Sequence, residues 1–258
     1  RNLGIGGHVN LVMGMSNGCL IVVAAGDDIS VPERTESLIR GFAKDKQCMA
    51  AYSSVMQIDD KGLTISLHES TNRTFSNDIA GAVENWCPGV LGASHAWRRE
   101  LFDFFGPLNR RIVTEDRALP LRAVLLGKIC EVKRPLVYYR VHNAGISQLP
   151  RRWSYSDYLR FHSKTWRQGL GVMYGYKRDL LTYKNKIGSN IQVDMGCSAA
   201  NEALKRAYLN YQFYSSKSLL KQIVIIFRWV FVTGDFRQAA RFLAARFFSR
   251  VYFNKLAK

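Results

Sequence analysis

An apolar run that ends on two adjacent acids constrains this chain more than any other feature of its sequence. Residues 19–25 read CLIVVAA and are followed by Gly26, Asp27 and Asp28. A run rich in Val and bounded by Gly predicts a buried strand of a parallel sheet. Ligands of open α/β sheets bind beyond the carboxyl ends of the strands. Two carboxylates at that edge can hold a hard divalent cation, and the cation can hold a diphosphate.

The alternative is that Asp27 and Asp28 only begin the next helix. Residues 30–33 read SVPE, which matches a capping box with Pro32 in the first helical turn. Because this helix has a predicted cap of its own, the acids are not needed to start it. We therefore favour a binding role for them.

Positive charge is concentrated at the C-terminal end of the chain. The 258 residues carry a net charge of +17, and residues 1–150 contribute 17 basic and 15 acidic side chains. Residues 151–258 contribute 20 basic and 5 acidic side chains, a balance of +15. This asymmetry predicts an anionic partner, either nucleic acid or a membrane surface.

The five cysteines, at positions 19, 48, 87, 130 and 197, show neither CxxC nor Cys/His spacing. We expect buried free thiols in a reducing cytosol rather than a disulfide framework or a zinc site.

Short apolar runs alternate with helical patterns between residues 18 and 148, as in α/β domains. We place a domain boundary at residue 150, because the sequence beyond it is basic, aromatic and helical in its spacing. Residues 72–84 are polar and suggest a loop over a site. The predicted helices are 31–44, 99–105, a stretch from 114–116 to Gly127, 198–214, 219–232 and 236–253, and the predicted strands are 49–58, 63–67, 90–98, 129–132 and 136–140.

Several short motifs then occur in a fixed order. They are the Asp-Asp pair, the helix opening with Pro, GAxxAxRRxxF at 92–102, FGPL at 105–108, TED at 114–116, LLGKI at 125–129 and YRxH at 139–142. Together these resemble family 2 of the nucleotide-sugar glycosyltransferases, which invert the anomeric centre, across about residues 2–148. The resemblance implies a GT-A-like, Rossmann-related mixed sheet flanked by helices, followed by a C-terminal α-helical extension. It also implies that the family's opening strand and helix, which recognise the nucleotide base, precede this chain, so that the fragment alone could be inactive.

The resemblance implies a metal-dependent mechanism for the catalytic domain, residues 1–150. Asp28 would bind Mg²⁺ or Mn²⁺ at the donor diphosphate, and Asp27 would face the ribose or a metal-bound water. Asp116 would be the general base that deprotonates the acceptor hydroxyl. Glu115 beside it would help to raise its pKa.

Alternative roles stay open for some of these residues. Asp116 could stabilise a first helical turn, although Pro120 suggests that this helix starts as late as Leu119, which would leave Asp116 on a loop. His142 is a candidate ligand of the metal or the diphosphate, or a surface histidine.

Three further residues are assigned to substrate contacts. Arg140 is a candidate phosphate contact or a solvated charge. Trp97 and Arg98 are candidates for the acceptor side, and Trp97 is equally well explained as a core residue.

The basic extension, residues 151–258, is predicted to contact a membrane. Within residues 236–253 an apolar stripe formed by Phe236, Ala240, Leu243, Phe247 and Val251 is flanked by arginines. This pattern is typical of a helix in the headgroup layer, and the alternative is a helix packed on the catalytic domain. Nucleic acid is disfavoured, because no nucleic-acid-binding motif is present.

The sequence therefore predicts a glycosyltransferase that uses a nucleoside-diphosphate sugar, Mg²⁺ or Mn²⁺, and a glycan or lipid-linked acceptor. We expect a cytoplasmic protein, peripheral at the inner face of the cell membrane, that works in cell-surface polysaccharide synthesis. The alternatives are a GT-A-like nucleotidyltransferase and a non-catalytic adaptor that binds membranes or polyanions.

Overall fold

The structure is a computed structural model and describes residues 2–69, 78–85, 90–142 and 155–247. Helices and strands alternate up to residue 142, and long helices follow. The elements are α1 (Gly4–Met15), β1 (Leu20–Val22), β2 (Ile29–Ser30), α2 (Arg34–Lys44), β3 (Cys48–Ile58), β4 (Thr64–His68), α3 (Ile79–Glu84), a 3₁₀ turn (Gly92–Ser94), β5 (Ala96–Arg98), α4 (Glu100–Phe105), α5 (Glu115–Leu126), β6 (Lys128–Arg140), α6 (Tyr155–Ile187), α7 (Ile191–Ser215), α8 (Leu219–Thr233) and α9 (Phe236–Phe247).

The described strands form one mixed sheet in the order β1-β5-β3-β6-β2, and β4 also pairs with β3. Strands β3 and β6 are parallel, with Val55 opposite Val137, while the other pairs are antiparallel. The carboxyl ends of β3 and β6 therefore lie at one edge of the sheet. This is the edge at which a ligand site is expected in an α/β sheet.

Both faces of the sheet are covered. Because successive strand residues point to opposite faces, Trp97 packs into a core cluster with side chains from α1, α4 and α5, whereas Ala96 packs into another with α2. The predicted fold class, a mixed sheet flanked by helices with C-terminal helices beyond it, is confirmed. It is consistent with a GT-A-like fold.

The chain divides into two compact units. The first contains residues 1–146 and 171–201, and the second contains residues 147–170 and 202–258. Parts of α6 and α7 thus belong to the first unit. The predicted boundary at residue 150 separates a catalytic domain from a basic extension by function, and that separation stays a prediction.

A buried ion pair fixes the α6 part of the first unit to α5. The Arg122 Nε atom donates to Asp179 Oδ2 at 2.7 Å and its Nη2 atom to Asp179 Oδ1 at 3.2 Å. The two side chains are 0% and 3% exposed. The third nitrogen, Nη1, donates to the backbone oxygen of Gly106 at 2.8 Å. The pair is therefore enclosed and hydrogen-bonded, as a buried charge requires.

Helix α5 begins earlier than the sequence suggested. It starts directly after Thr114, so Glu115 and Asp116 lie in its first turn, and the expected start at Leu119 is wrong. Pro120 lies within the helix. It has no N–H to donate to the carbonyl of Asp116, yet the helix continues through it with buried residues on either side.

The two predicted strands 129–132 and 136–140 are one strand, β6. Its register against β3 shifts at Pro135, which has no N–H for the ladder. The predicted strand 90–98 is shorter than expected, because a 3₁₀ turn precedes β5. The predicted hairpin strand is confirmed as β4. The predicted loop 72–84 is wrong for its last residues, which form α3 with Asp78 as the N-cap, and residues 72–77 lie outside the described residues.

The expectation of free thiols is wrong for two cysteines. Cys48 on β3 and Cys130 on β6 form a disulfide with their Cα atoms 5.9 Å apart. Neighbouring strands bring them together, a contact that spacing along the chain does not reveal. Cys19 is free but exposed rather than buried, Cys197 is free and half-buried, and Cys87 lies outside the described residues.

Candidate active site

The loop after β1 carries the two acids that the sequence singled out. The apolar run before it forms only a three-residue strand, half-buried and antiparallel to β5, so the expected buried strand of a parallel sheet is wrong. The capping box is also wrong, because Ser30 lies in β2 and helix α2 begins after Glu33 without a side-chain cap. The location of the acids is nevertheless at the carboxyl edge of β3 and β6, since they contact residues at the end of β6.

Asp28 is held against β6 by one of its oxygens. The backbone N–H of Arg140 donates to Asp28 Oδ1 at 2.8 Å. The other oxygen, Oδ2, is buried and has no hydrogen-bond partner among the described residues. Burial is the main cause that raises the pKa of Asp28, and the charge of Asp27 raises it further. A buried oxygen without a partner is costly unless it binds a further group.

Asp27 lies beside the candidate histidine. The Nε2 atom of His142 is 3.1 Å from Asp27 Oδ2. This hydrogen bond is the main cause that lowers the pKa of Asp27. The structure therefore places His142 against Asp27, which is ionised at neutral pH. The assignment of Asp27, Asp28 and His142 to a metal stays a prediction.

Arg140 connects two loops at the same edge of the sheet through hydrogen bonds. Its Nε atom donates to the backbone oxygen of Asp27 at 3.0 Å, and Nη1 donates to the backbone oxygens of Asp59 and Asp60 at 2.9 and 3.1 Å. The guanidinium thus ties the acidic loop to the turn after β3. The prediction that Arg140 contacts phosphate stays a prediction.

Arg34 was not singled out from the sequence, and it lies beneath the acidic loop. The residue is 3% exposed, and its Nη2 atom donates to the backbone oxygens of Val23 and Ala93 at 2.6 and 2.7 Å. Nη1 donates to Ser30 Oγ at 2.9 Å. Its charge also lowers the pKa of Asp28, against the larger effect of burial. A lone arginine after a helix start carries no signal of burial, so sequence reasoning could not have found it.

A second pair of carboxyl groups lies against the 3₁₀ turn that Arg34 binds. The backbone of Gly92 lies close enough to Asp116 to lower its pKa, and Asp116 Oδ1 is buried without a partner among the described residues. Burial, followed by the charge of Asp116, raises the pKa of Glu115 to about 7. Burial also raises the pKa of Asp116, against the charge of Arg117 and the backbone of Gly92. The expected upward shift of the Asp116 pKa is present, but its cause is burial rather than Glu115, and the charge of Asp116 instead raises the pKa of Glu115.

Gly92 is the second residue that was not assigned a role. A Cβ atom at this position would lie 2.8 Å from Glu115 Oε1 and 3.4 Å from Asp116 Cβ. A side chain at this position would therefore require the Glu115 carboxyl group to move, while Asp116 Cβ would be at an ordinary contact distance. The signal was available, because Gly92 opens the GAxxAxRR motif.

The two residues assigned to the acceptor side lie elsewhere. Trp97 is 2% exposed in the core, where its ring packs near Phe102 with centroids 6.4 Å apart. Arg98 is half-buried, and its Nε atom donates to the backbone oxygen of Cys48 at 2.8 Å. Both side chains are engaged in packing, and we leave them out of the mechanism below.

The acids fit a divalent cation of the kind that also takes phosphate ligands. Among the described residues no group of three or more His, Cys, Asp and Glu side chains is arranged so that it could hold a metal ion, so a cation here would depend on one or two carboxylates. Mg²⁺ is commonly bound through one or two carboxylates, with substrate phosphates and water completing its shell. The unpartnered oxygen of Asp28 next to the ionised Asp27 is suited to that role.

Comparison with known proteins gives one informative similarity. No protein-family model matches the chain. The chain is 23% identical over 251 residues to a protein of Nostoc sp. (strain PCC 7120) that is described as an uncharacterized glycosyltransferase, and the match covers 94% of this chain and 74% of that protein. The similarity supports glycosyl transfer as a general reaction class. At this identity it does not show membership of glycosyltransferase family 2.

Proposed function

We propose that this protein is a metal-dependent inverting glycosyltransferase of the family 2 type. It would transfer a sugar from a nucleoside-diphosphate sugar to a hydroxyl of a glycan or lipid-linked acceptor. One observation carries the proposal. Two carboxyl pairs, each with a buried oxygen that lacks a partner among the described residues, flank the segments that the buried guanidinium of Arg34 binds.

The first pair serves the donor. Asp28, with Asp27 and His142, would hold Mg²⁺ or Mn²⁺ at the diphosphate. The cation, when bound, offsets the negative charge that develops on the leaving diphosphate. Arg140 keeps the backbone of Asp27 in place, and its own charge lies close enough to lower the pKa of that acid. The donor end of the site is therefore preorganised by contacts of the chain itself.

The second pair serves the acceptor. Asp116 would take the proton of the acceptor hydroxyl as that oxygen forms a bond to the anomeric carbon and the bond to the diphosphate breaks. Attack from the face opposite the leaving group inverts the anomeric centre. A general base works best when its pKa is near the working pH, and burial raises the pKa of both Asp116 and Glu115.

We also propose a cytoplasmic location at the inner face of the cell membrane, with a role in cell-surface polysaccharide synthesis. The balance of +15 over residues 151–258 supports contact with an anionic leaflet. The disulfide between Cys48 and Cys130 gives no support to a reducing compartment, because disulfides persist mainly in oxidising ones.

Donor turnover tests the reaction. The protein, incubated with Mn²⁺ and a panel of sugar nucleotides, should release nucleoside diphosphate, and Asp28→Ala should abolish the release. Asp116→Asn should retain donor binding and lose transfer. The matched control is Asp103→Asn, an exposed acid on α4, which should keep the parent rate. Conversion of the sugar nucleotide and added inorganic pyrophosphate to a nucleoside triphosphate and a sugar 1-phosphate would indicate the nucleotidyltransferase instead. Transfer by Asp116→Asn would show that the base is misassigned.

A further inference from the structure

Helix α8 has two faces of opposite environment. Its inner face contributes Gln222, Ile225 and Trp229, which are buried, the latter two in an aromatic cluster with Phe213 and Phe242. The exposed apolar residues of its outer face follow one another at intervals of four, three and four residues, so they lie along one line on the helix. These residues are Leu220, Val224, Phe227 and Phe231, which are 76%, 57%, 72% and 93% exposed.

Helix α9 also carries exposed apolar side chains. Phe236 and Leu243 are 71% and 41% exposed, while Ala239 and Phe242 are buried on the opposite side. The first part of the predicted stripe thus points outward. Its last two members, Phe247 and Val251, lie outside the residues whose side chains the structure describes. We call the exposed residues of α8 together with Phe236 and Leu243 the apolar outer face.

The charges around this surface are almost all positive. Between residues 216 and 247 the chain has six basic residues and a single acidic one, Asp235. The carboxylate of Asp235 accepts a hydrogen bond from the N–H of Gln238 at 2.9 Å, at the start of α9. Lys221 and Arg228 are exposed on one flank of the α8 line. A second copy of this face would therefore bring like charges together, whereas an anionic surface would complement them.

We propose that the apolar outer face inserts into the interface of a bilayer that contains anionic lipids, with α8 as the main inserting element. Phenylalanine side chains would enter the acyl boundary, and the basic side chains would contact lipid phosphates. Within the described residues no helix is long and apolar enough to cross a membrane. A surface this apolar and this exposed is otherwise unusual on a protein in water.

This inference deepens the proposed membrane location, on which it rests, and assigns it mainly to α8, which the predicted stripe did not include. Its readout is vesicle binding, which does not require turnover. A protein that binds vesicles and transfers no sugar would contradict only the proposed reaction. A protein that transfers sugar to a soluble acceptor and ignores vesicles would contradict only this inference.

The test is flotation of the whole chain with vesicles of phosphatidylcholine, with or without phosphatidylglycerol. We expect binding to the anionic vesicles, and a Phe227→Ser/Phe231→Ser variant should bind at least about tenfold more weakly. Lys221→Gln/Arg228→Gln should weaken binding about fivefold for each charge removed. The matched control is Leu63→Ser/Ile65→Ser, which changes two comparably exposed apolar residues at β4 and should bind as the parent does.

Three results would overturn the inference. The first is equal flotation of the parent and the phenylalanine variant. The second is a loss of vesicle binding in the β4 control as large as in the phenylalanine variant. The third is binding that does not depend on phosphatidylglycerol. Sedimentation of the parent as a dimer that the phenylalanine variant dissociates would assign the face to a second copy of the chain instead. Circular dichroism of each variant shows that a loss of binding does not come from unfolding.

Discussion

The Nη2 atom of Arg34 donates to the backbone oxygen of Ala93 at 2.7 Å, and through this bond the acidic loop and the 3₁₀ turn share one buried cation. The same nitrogen donates to the backbone oxygen of Val23. Ala93 follows Gly92, which contacts Asp116, while Val23 leads into the loop that carries Asp27 and Asp28. The two carboxyl pairs are thus connected through the backbone that Arg34 holds.

Replacing Arg34 should therefore disturb both pairs. We expect Arg34→Gln to lower the free energy of unfolding by about 2–4 kcal/mol, because three acceptors lose a charged donor in a buried place. The same variant should need more Mn²⁺ for half-maximal donor turnover. Denaturant unfolding and a Mn²⁺ titration measure the two effects. Arg40→Gln on the same helix is the control. Among the described residues Arg40 forms an ion pair with the exposed Glu36 alone, so this variant should lower the free energy of unfolding by less than about 0.5 kcal/mol.

We expect any side chain at position 92 to lower the rate of sugar transfer. In Gly92→Ala the new Cβ atom would lie 2.8 Å from Glu115 Oε1, so the acid must move. We expect kcat to fall at least about tenfold, because small displacements of a catalytic acid are costly. Gly26→Ala is the control, since a Cβ there meets nothing within 4 Å. Equal rates for both variants would contradict the proposed place of the acceptor.

Glu115 should make the stability of the protein depend on pH. Its pKa in the folded state is about 7 against an ordinary value of 4.5, so the folded state binds the proton more tightly than the unfolded state does. Stability should then fall as pH rises from about 4.5 to about 7, where the buried carboxylate becomes charged. Glu115→Gln removes this cost and should stabilise the protein at pH 8 by an amount of the order of 1 kcal/mol, since the half-buried side chain keeps some contact with water.

The difference in Tm between Glu115→Gln and the parent, measured at pH 4.5 and pH 8, checks this expectation. The difference should grow with pH. A difference that stays constant between the two values would mean that Glu115 titrates as an ordinary exposed acid. Glu100→Gln provides the comparison, because Glu100 is an exposed acid in the first turn of α4.

The Arg122–Asp179 pair should show the cost of leaving a buried charge alone. We expect Asp179→Ala to lower the free energy of unfolding by about 3–5 kcal/mol. The double variant Arg122→Met/Asp179→Leu should recover much of that loss, because it buries no charge. Urea unfolding of the three proteins measures both. If the double variant were no more stable than Asp179→Ala, packing rather than the unpaired charge would cause the loss.

Local patterns predicted the α/β class and the position of Asp27 and Asp28 at an edge of the sheet, but not which strands are parallel. Asp27, Asp28 and His142 came from motifs in a fixed order, and the structure places His142 against Asp27. The prediction of a buried parallel strand at residues 19–25 was wrong. The partner strand β5 pairs with only three of these residues and leaves them half-buried. Residues that act through distant contacts were not predictable. Arg34 binds a carbonyl 59 residues away and Asp179 pairs 57 residues from Arg122, and no local pattern encodes either contact.

The position of segment 171–201 in the chain affects the order in which the two compact units can be completed. It belongs to the first compact unit, although residues 147–170 of the second unit precede it in the chain. During translation Arg122 emerges well before Asp179, so the buried ion pair between them cannot form until that acid has left the ribosome. The unit that carries both carboxyl pairs is therefore completed late, after part of its neighbour has been made. Until then Arg122 needs contact with water.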